Sequence, residues 1–266
     1  MSMSLMTRRG LLALPIAMFF QRLAVAAADP RVLKASYIAD VGILYDMLTL
    51  QLRGTIEEIV DHAAGNYRVT TAGAGANIRN HFESTGVFRD GRWKPIRSRS
   101  WFDVRGRQSR TDIAYDWSKH RIQYEARGET FFLRRVRVVD DVVAVPDGSH
   151  VDDVISATLN FADKRWPVQA DGVHRTLVVR RRRSENEGPD DVSTSYRAEI
   201  VPLELKTVDD ASGKPAALFD LSRFSSWARS SEPARIVFAA TRRPELITSS
   251  MILGTSVTIR FTASNA

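Results

Sequence analysis

Apolar and polar residues alternate along most of the chain after the first thirty residues. The pattern extends over five or six positions in the segments 48–53, 67–71, 121–126 and 257–262. Successive side chains of a strand point to opposite faces, so each of these segments has one apolar and one polar face. Such segments are typical of antiparallel strands that cover a core on one side and contact solvent on the other.

Glycine follows a polar residue at six positions that separate the alternating segments. The six dipeptides are Asp90-Gly91, Arg105-Gly106, Arg127-Gly128, Asp147-Gly148, Glu187-Gly188 and Ser212-Gly213. We interpret them as turns, and we interpret the glycine-rich stretch 70–78 as a turn or bulge because no helix follows it to bind a phosphate. The sequence therefore predicts a mainly β fold, a large curved antiparallel sheet in the form of a half-barrel or an open barrel.

One segment, residues 150–162, has the period of a helix. Its apolar residues recur every three or four positions, and Ser149 with Asp152 matches a capping box. We expect a short amphipathic helix that packs across the sheet. A second, less regular helix is predicted around residues 218–228, where an Asp or a Ser would cap the first turn.

The amino terminus has the residue order of a secretory signal peptide. Arg8 and Arg9 precede an uncharged run from Gly10 to Phe20, and small residues follow at 24–28. As a helix this run would extend about 16 Å, roughly half the thickness of a membrane's apolar core. Residues 1–28 are therefore predicted to be cleaved on export, through either the general secretion route or the twin-arginine route.

Residues 29–266 are predicted to form a single β-rich domain. The acidic stretch 185–191 is the best candidate for a domain boundary, although a long hairpin loop explains it better. The arginines at 180–183 are expected at the exposed end of a strand, as a solvated face opposite those acids. The chain has no cysteine, which excludes disulfides, thiolate metal sites and a cysteine-linked lipid anchor.

The charge of the chain is modest once the signal peptide is removed. The formal net charge is +7, and the signal peptide contains three arginines and no acid, so cleavage lowers the charge by three, to +4. No later segment is apolar over the length of a membrane span. We expect a soluble periplasmic protein without a nucleic-acid partner.

Residue patterns that indicate catalysis or metal binding are missing from the sequence. The histidines are well separated, and there is no nucleophile elbow or phosphate-binding glycine loop. The nearest cluster of acids with a histidine is Asp103, Asp112, Asp116 and His120. We interpret these as surface groups paired with arginines. The sequence predicts a protein that is not an enzyme, with no metal site and no cofactor.

Aromatic residues are concentrated within residues 93–132, where they alternate with arginines. The simpler interpretation is a sheet core with charged outer faces. The alternative is a wall that binds an amphiphilic or anionic ligand through rings and guanidinium groups. In that interpretation the candidate ligand-binding residues are Trp93, Trp101, Tyr115, Trp117 and Tyr124.

Three segments resemble a family of exported bacterial proteins. Residues 83–124, ESTGVFRDGRWKPIRSRSWFDVRGRQSRTDIAYDWSKHRIQY, resemble the core of the family called domain of unknown function 3108. Residues 145–161, VPDGSHVDDVISATLNF, look like its loop and helix, and 241–261, TRRPELITSSMILGTSVTIRF, look like its closing strands. The resemblance covers most of residues 33–261. It implies a secreted, mainly antiparallel β protein and supplies no catalytic residues.

Two functions fit these patterns. The first is a non-catalytic periplasmic module that binds a lipid or other amphiphile of the cell envelope, by analogy with the half-barrel sheets of periplasmic lipoprotein carriers. The second is a structural or assembly partner that pairs with another envelope protein through a sheet edge, with the last strand, 256–262, as the candidate edge. An open apolar interior favours the first function, and a filled interior favours the second.

Overall fold

The structure is a computed structural model that describes residues 30–43, 45, 48–184, 187–229 and 231–263. The predicted signal peptide lies outside the described residues. The strands of the first half are β1 (Arg31–Ile43), β2 (Leu48–Asp61), β3 (Asn66–Ala74), β4 (Ile78–Arg89), β5 (Arg92–Val104), β6 (Arg107–Asp116), β7 (Arg121–Glu129) and β8 (Val136–Ala144). Those of the second half are β9 (Val151–Asp152), β10 (Val173–Arg181), β11 (Ala198–Asp209), β12 (Pro215–Phe219), β13 (Ala234–Phe238), β14 (Pro244–Ser250) and β15 (Ser256–Ala263).

All of these strands belong to one sheet. Its order is β8-β7-β6-β5-β4-β3-β2-β1-β15-β14-β13-β12-β11-β10-β9, and every pairing is antiparallel except that of β9 with β10. The sheet therefore consists of two meanders that are joined where the first strand pairs with the last. The predicted mainly β fold with a large antiparallel sheet is confirmed.

The last strand lies in the middle of the sheet. β15 pairs with β1 on one side and with β14 on the other, so the prediction that it forms an edge is wrong. Among the described strands the edges are β8 and β9. Pairing between the two ends of a chain depends on contacts far apart in sequence, which the alternation of one strand does not reveal.

Two-residue turns connect β4 to β5 and β5 to β6 in the first meander. Asp90-Gly91 and Arg105-Gly106 have positive φ at both positions, between 54° and 78°. Such turns match the twist of paired antiparallel strands. The predicted turn at Arg127-Gly128 is wrong, because both residues lie within β7. The other three predicted glycine turns lie between strands.

The two ends of the sheet meet through side chains, and the sheet is not closed into a barrel by backbone pairing. Tyr124 and Val139 of the first meander pack against Val179 and Ala198 of the second. Asp141 of β8 accepts a hydrogen bond from the backbone N–H of Ala198 at 2.9 Å. The sheet is therefore rolled so that β10 and β11 lie against its opposite end.

The single α-helix of the described residues, α1 (Val154–Ala162), lies inside the rolled sheet and packs against β4, β5 and β9. Leu159 contacts the buried ring of Trp93 in β5. Ala157 and Phe161 pack against Trp166 and the apolar residues of β11–β13. The predicted helix is thus confirmed, together with its packing on the sheet. No helix in the described part of the chain is long and apolar enough to cross a membrane.

The start of α1 differs from the prediction. Asp153 is the N-cap, and its carboxylate accepts the N–H of Ser156 at 2.7 Å while the Ser156 hydroxyl accepts the N–H of Asp153 at 2.9 Å. The predicted capping box of Ser149 and Asp152 is wrong. Val151 and Asp152 instead pair with β10 as the short strand β9, which holds this segment extended.

The other irregular segments are loops. The predicted helix at 218–228 is reduced to a 3-10 turn over Leu221–Arg223, which Asp220 caps. A second 3-10 turn, Ile252–Gly254, precedes the last strand. Residues 185–191 fall in the long connection of the β10–β11 hairpin, as predicted, although 185 and 186 lie outside the described residues.

Candidate functional site

An apolar cavity of about 440 Å³ lies between α1 and the strands around it. We call it the interior cavity; its walls include Ile113, Tyr115, Val178, Leu205, Phe238 and Ala157. Its volume is within the range of about 300–1,000 Å³ that is common for small-molecule sites. The interior of the sheet is therefore only partly filled by its own side chains.

Small residues leave the space that forms the interior cavity. Ser98 and Ser100 of β5 and Ala157 of α1 line it at positions where larger apolar residues would close it. The β4–β5 pairing contains a bulge just before these serines, where Ile96 is the extra residue. The bulge shifts by one position which residues of β5 face inward. The walls thus come from distant segments that meet only in the rolled sheet.

Asp152 forms part of one end of the interior cavity and is fully paired. Its carboxylate accepts hydrogen bonds from the Thr176 hydroxyl at 2.6 Å and from the Asn160 amide at 2.8 Å. His150 Nε2 lies 2.8 Å from it and the Arg92 guanidinium 3.2 Å from it. Because its partners come from β5, β10 and α1, this carboxylate anchors the helix inside the sheet.

Asp153 lies beside Asp152 and is also buried. Its carboxylate accepts a hydrogen bond from the Ser84 hydroxyl at 2.5 Å, and the Tyr67 hydroxyl lies 3.0 Å from Ser84 Oγ. No ion pair to Asp153 occurs in the described part of the chain. Burial raises the pKa of Asp153, and the hydrogen bond from Ser84 opposes that increase. Asp153 is therefore held by hydroxyl and backbone donors, whereas the neighbouring Asp152 is paired with Arg92.

Tyr115 is the one candidate ligand-binding residue that lines the interior cavity. Its side chain is 6% exposed, and its hydroxyl has no hydrogen-bond partner among the described residues. Burial raises its pKa. Trp117 stacks on the ring of Tyr115 with 5.9 Å between the centroids, and its Nε1 donates a hydrogen bond to the carbonyl of Pro95 at 2.7 Å.

The structure does not bring the other candidate residues to the same wall. Trp93 is completely buried beneath α1, where its Nε1 donates to Asp163 at 2.8 Å. Tyr124 belongs to the apolar contact between the two ends of the sheet. Trp101 follows the cavity-lining Ser100 and so points to the outer face, where the Arg79 guanidinium lies 5.4 Å from its ring.

Sequence reasoning missed most of the residues that line the interior cavity. Leu203 and Leu205 alternate with polar residues in β11, and Phe161 follows the helical period of α1. These periods assign each residue to an apolar face. They do not indicate that the faces enclose an unfilled space.

A second cavity, of about 400 Å³, adjoins the first, and Thr111 and Phe224 line both. We call it the arginine cavity, because its walls contain six arginines: Arg110, Arg127, Arg137, Arg180, Arg181 and Arg183. Among the described residues, Glu129 is the single acid in its lining. The arginine cavity also contains a cation–π contact, in which the Arg180 guanidinium lies 5.9 Å from the centre of the Phe224 ring.

The prediction that residues 180–183 form a solvated face is wrong for three of the four arginines. The side chains of Arg180, Arg181 and Arg183 are 20%, 16% and 11% exposed, whereas that of Arg182 is 64% exposed. The predicted pairing with acids of the following loop is confirmed by the ion pair of Arg181 with Glu187. The burial arises because β10 is rolled against the opposite end of the sheet.

The acids and the histidine that form the nearest cluster in the sequence do not converge. Their partners are separate: Arg79 for Asp103, Arg97 for Asp112, Arg121 for Asp116 and Asp147 for His120. The prediction that they are surface groups is wrong for Asp103, which is buried where β4 pairs with β5. Within the described residues there is no group of three or more side chains that could together hold a metal ion.

These features define a class of protein: a mainly β fold in which one large antiparallel sheet surrounds a helix and an apolar cavity. No family model matches the chain, and no curated protein matches it either. The chain is similar to the crystal structure of a beta-barrel-like protein of domain of unknown function DUF1849 from Brucella abortus. The TM-score is 0.41 at 8% identity, over 88% of this chain and 98% of that chain. The resemblance to domain of unknown function 3108 stays a prediction.

Proposed function

We propose that the protein is an exported, non-catalytic module that binds a hydrophobic or amphiphilic component of the cell envelope. The observation that carries this proposal is the interior cavity, whose walls are mostly aliphatic and aromatic. An apolar void lowers stability by roughly 24 cal/mol per Å³ of unfilled volume, because its lining atoms lack partners. An apolar chain that enters the cavity regains those contacts.

The signal-peptide pattern at residues 1–28 supports a periplasmic location, where envelope lipids are available. Fractionation of cells that produce the full chain tests this point. We expect the processed protein in the periplasmic fraction, and an unprocessed protein in the cytosol would contradict the proposed location.

The covered edge of the sheet argues against assembly through edge pairing. Arg137 of β8 donates hydrogen bonds to the carbonyl oxygens of Gly188 at 3.1 Å and Asp191 at 2.8 Å. Together with the contact of Asp141 to Ala198, these bonds place the β10–β11 connection along the outer side of β8. A covered edge offers fewer free backbone groups to a partner strand.

Filling the interior cavity should weaken ligand binding. We expect Ile113→Trp to lower the affinity for the neutral fluorescent probe N-phenyl-1-naphthylamine by at least about tenfold, since an indole ring would occupy the space of the ligand. The measurement is the increase in probe fluorescence on titration with purified protein.

The matched control is Ala114→Trp, which adds the same ring on the opposite face of β6. It should leave probe binding unchanged. Thermal unfolding of both variants verifies that they are folded. A wild-type protein that does not bind the probe would overturn the proposal, and so would an Ile113→Trp variant that is folded and binds normally.

A further inference from the structure

We propose that the arginine cavity selects an amphiphile with an anionic head group, a phosphate or a carboxylate, whose apolar chain occupies the adjoining interior cavity. This inference rests on the proposed function, because it assigns a head group and an orientation to the ligand. It follows from the charge of the arginine cavity, from unpartnered donors in its walls and from its position beside the interior cavity.

The arginine cavity has more positive than negative charge. The carboxylate of Glu187 faces three guanidinium groups: Arg181 at 2.8 Å, Arg137 at 3.6 Å and Arg183 at 3.9 Å. One carboxylate balances one of these three charges. Glu129, the acid in the lining, forms its ion pair with Arg134 at 2.9 Å, outside this group. A bound anion would therefore compensate charge that the chain leaves uncompensated.

Two of the buried arginines have an N–H donor that forms no hydrogen bond within the described part of the chain. The Nε atoms of Arg180 and Arg183 are buried and have no hydrogen-bond partner among the described residues. The terminal nitrogens donate elsewhere: Arg180 to Glu199 at 2.7 Å, and Arg183 to the carbonyl oxygens of Ser222 at 2.5 Å and Glu187 at 3.2 Å. Guanidinium groups bind phosphate and carboxylate through parallel N–H bonds, so free donors at this position suit an anionic group.

The electrostatics of these side chains agree with an excess of positive charge. Burial lowers the pKa of Arg183, and the neighbouring Arg180, Arg181 and Arg137 lower it further, against the effect of Glu187. Burial tends to raise the pKa of Glu187, but the hydrogen bond from Arg181 and the charges of Arg181, Arg137 and Arg183 together hold it below its usual value. Each added negative charge would relieve repulsion among the arginines.

The difference in charge between the two cavities sets the orientation of the ligand. Asp152 and Asp153 are the charged residues in the lining of the interior cavity, and no lysine, arginine or histidine of the described residues lines it. Since Asp152 is already paired with Arg92, an anionic head finds no free cation in the interior cavity and is attracted to the arginine cavity. Because Thr111 and Phe224 line both cavities, one molecule can place its head among the arginines and its chain in the apolar space.

The test compares three probes that separate the head group from the chain. Dodecyl phosphate, dodecanol and inorganic phosphate are titrated into the processed protein by calorimetry, with dodecyl phosphate kept below its critical micelle concentration and dodecanol below its solubility limit. We expect dodecyl phosphate to bind at least about tenfold more tightly than dodecanol. Raising the salt concentration should weaken its binding, because ions screen charge attraction. Inorganic phosphate should bind most weakly, because it lacks the chain.

Variants assign the preference to the arginine cavity. Arg180→Gln and Arg183→Gln should each reduce the affinity for dodecyl phosphate and leave that for dodecanol unchanged. The matched control, Arg182→Gln, removes an exposed neighbour outside the cavity and should alter neither. Glu187→Gln removes the compensating acid and should increase the affinity for dodecyl phosphate. Circular dichroism verifies the fold of each variant.

The outcomes distinguish this inference from the function on which it rests. Equal binding of dodecanol and dodecyl phosphate would overturn the anionic head group and leave amphiphile binding intact. Inorganic phosphate that binds as tightly as dodecyl phosphate would show a free-anion site and overturn the amphiphile assignment of the arginine cavity. Failure of both dodecyl compounds to bind would overturn the proposed function itself.

Discussion

Tyr37 shows how one side chain accounts for two glycines in neighbouring strands. A Cβ atom at Gly54 would overlap the ring of Tyr37, and a Cβ atom at Gly73 would overlap its hydroxyl. The hydroxyl donates a hydrogen bond to the side chain of Asn80 at 2.7 Å. Glycine is required here by the close approach of a ring, because both residues lie within strands and outside the turns.

The hydroxyl of Tyr115, unlike that of Tyr37, has no hydrogen-bond partner among the described residues. A buried donor without a partner lowers stability by about 1–3 kcal/mol relative to the hydrated group. We therefore expect Tyr115→Phe to raise the free energy of unfolding by about 1 kcal/mol, measured by urea denaturation. Tyr37→Phe is the control and should lower it, since the Asn80 side chain loses its donor. A Tyr115→Phe variant that is less stable would show that the hydroxyl has a partner in solution.

β10 illustrates how an element is shaped by contacts on both of its faces. Leu177 and Val179 pack in the cluster at the opposite end of the sheet, whereas the Thr176 hydroxyl on the other face of β10 bonds to Asp152. Val178 and Val179 both line the interior cavity. A strand covered on both faces does not need to alternate, which explains the continuous apolar run of residues 177–179. The same burial removes most of Arg181 from solvent.

The cap of α1 makes stability depend on pH. Burial raises the pKa of Asp153 above its ordinary value of 3.8, so between that value and the raised one the folded protein holds a proton that the unfolded chain has lost. The stabilisation that Asp153 contributes is fully present below pH 3.8. It is lost as pH rises through the raised pKa of the folded protein.

We therefore expect Asp153→Asn, which still accepts the cap hydrogen bond, to gain stability relative to wild type as pH rises from 4 to 8. Denaturant unfolding at each pH measures this difference. Asp112→Asn is the control, because the hydrogen bond from Arg97 lowers the pKa of Asp112 and the stability from this group is complete above pH 3.8. That variant should therefore run parallel to wild type from pH 4 to 8, and its deficit relative to wild type should shrink only below pH 3.8. Parallel pH profiles for Asp153→Asn and wild type would refute the assignment.

The rolled sheet is held by contacts between residues far apart in the chain. Arg243, in the segment that joins β13 to β14, forms an ion pair of 2.5 Å with Glu58 of β2. The neighbouring Arg242 places its guanidinium 4.2 Å from the centre of the Phe161 ring in α1. These two arginines join the second meander to the first meander and to the helix.

Breaking the Glu58–Arg243 pair should destabilise the whole fold. Burial raises the pKa of Glu58 in spite of Arg243, so Arg243→Gln leaves a buried acid without its cation. We expect a loss of about 3 kcal/mol in the free energy of unfolding, at the lower end for such pairs because Arg243 is partly exposed. The double variant with Glu58→Gln should recover most of it in a denaturation cycle. Additive losses in the two single variants would argue against the coupling.

The alternation of residues was sufficient to predict strands, several turns and the short helix, because each depends on neighbours along the chain. Tyr115 could be selected for the same reason, as an aromatic residue on an alternating strand. The positions of the sheet edges, the two cavities and the inward arginines required the tertiary structure. The spacing of apolar residues shows which face of a strand or helix a side chain lies on. The residues that pack against that face can come from any distance along the chain.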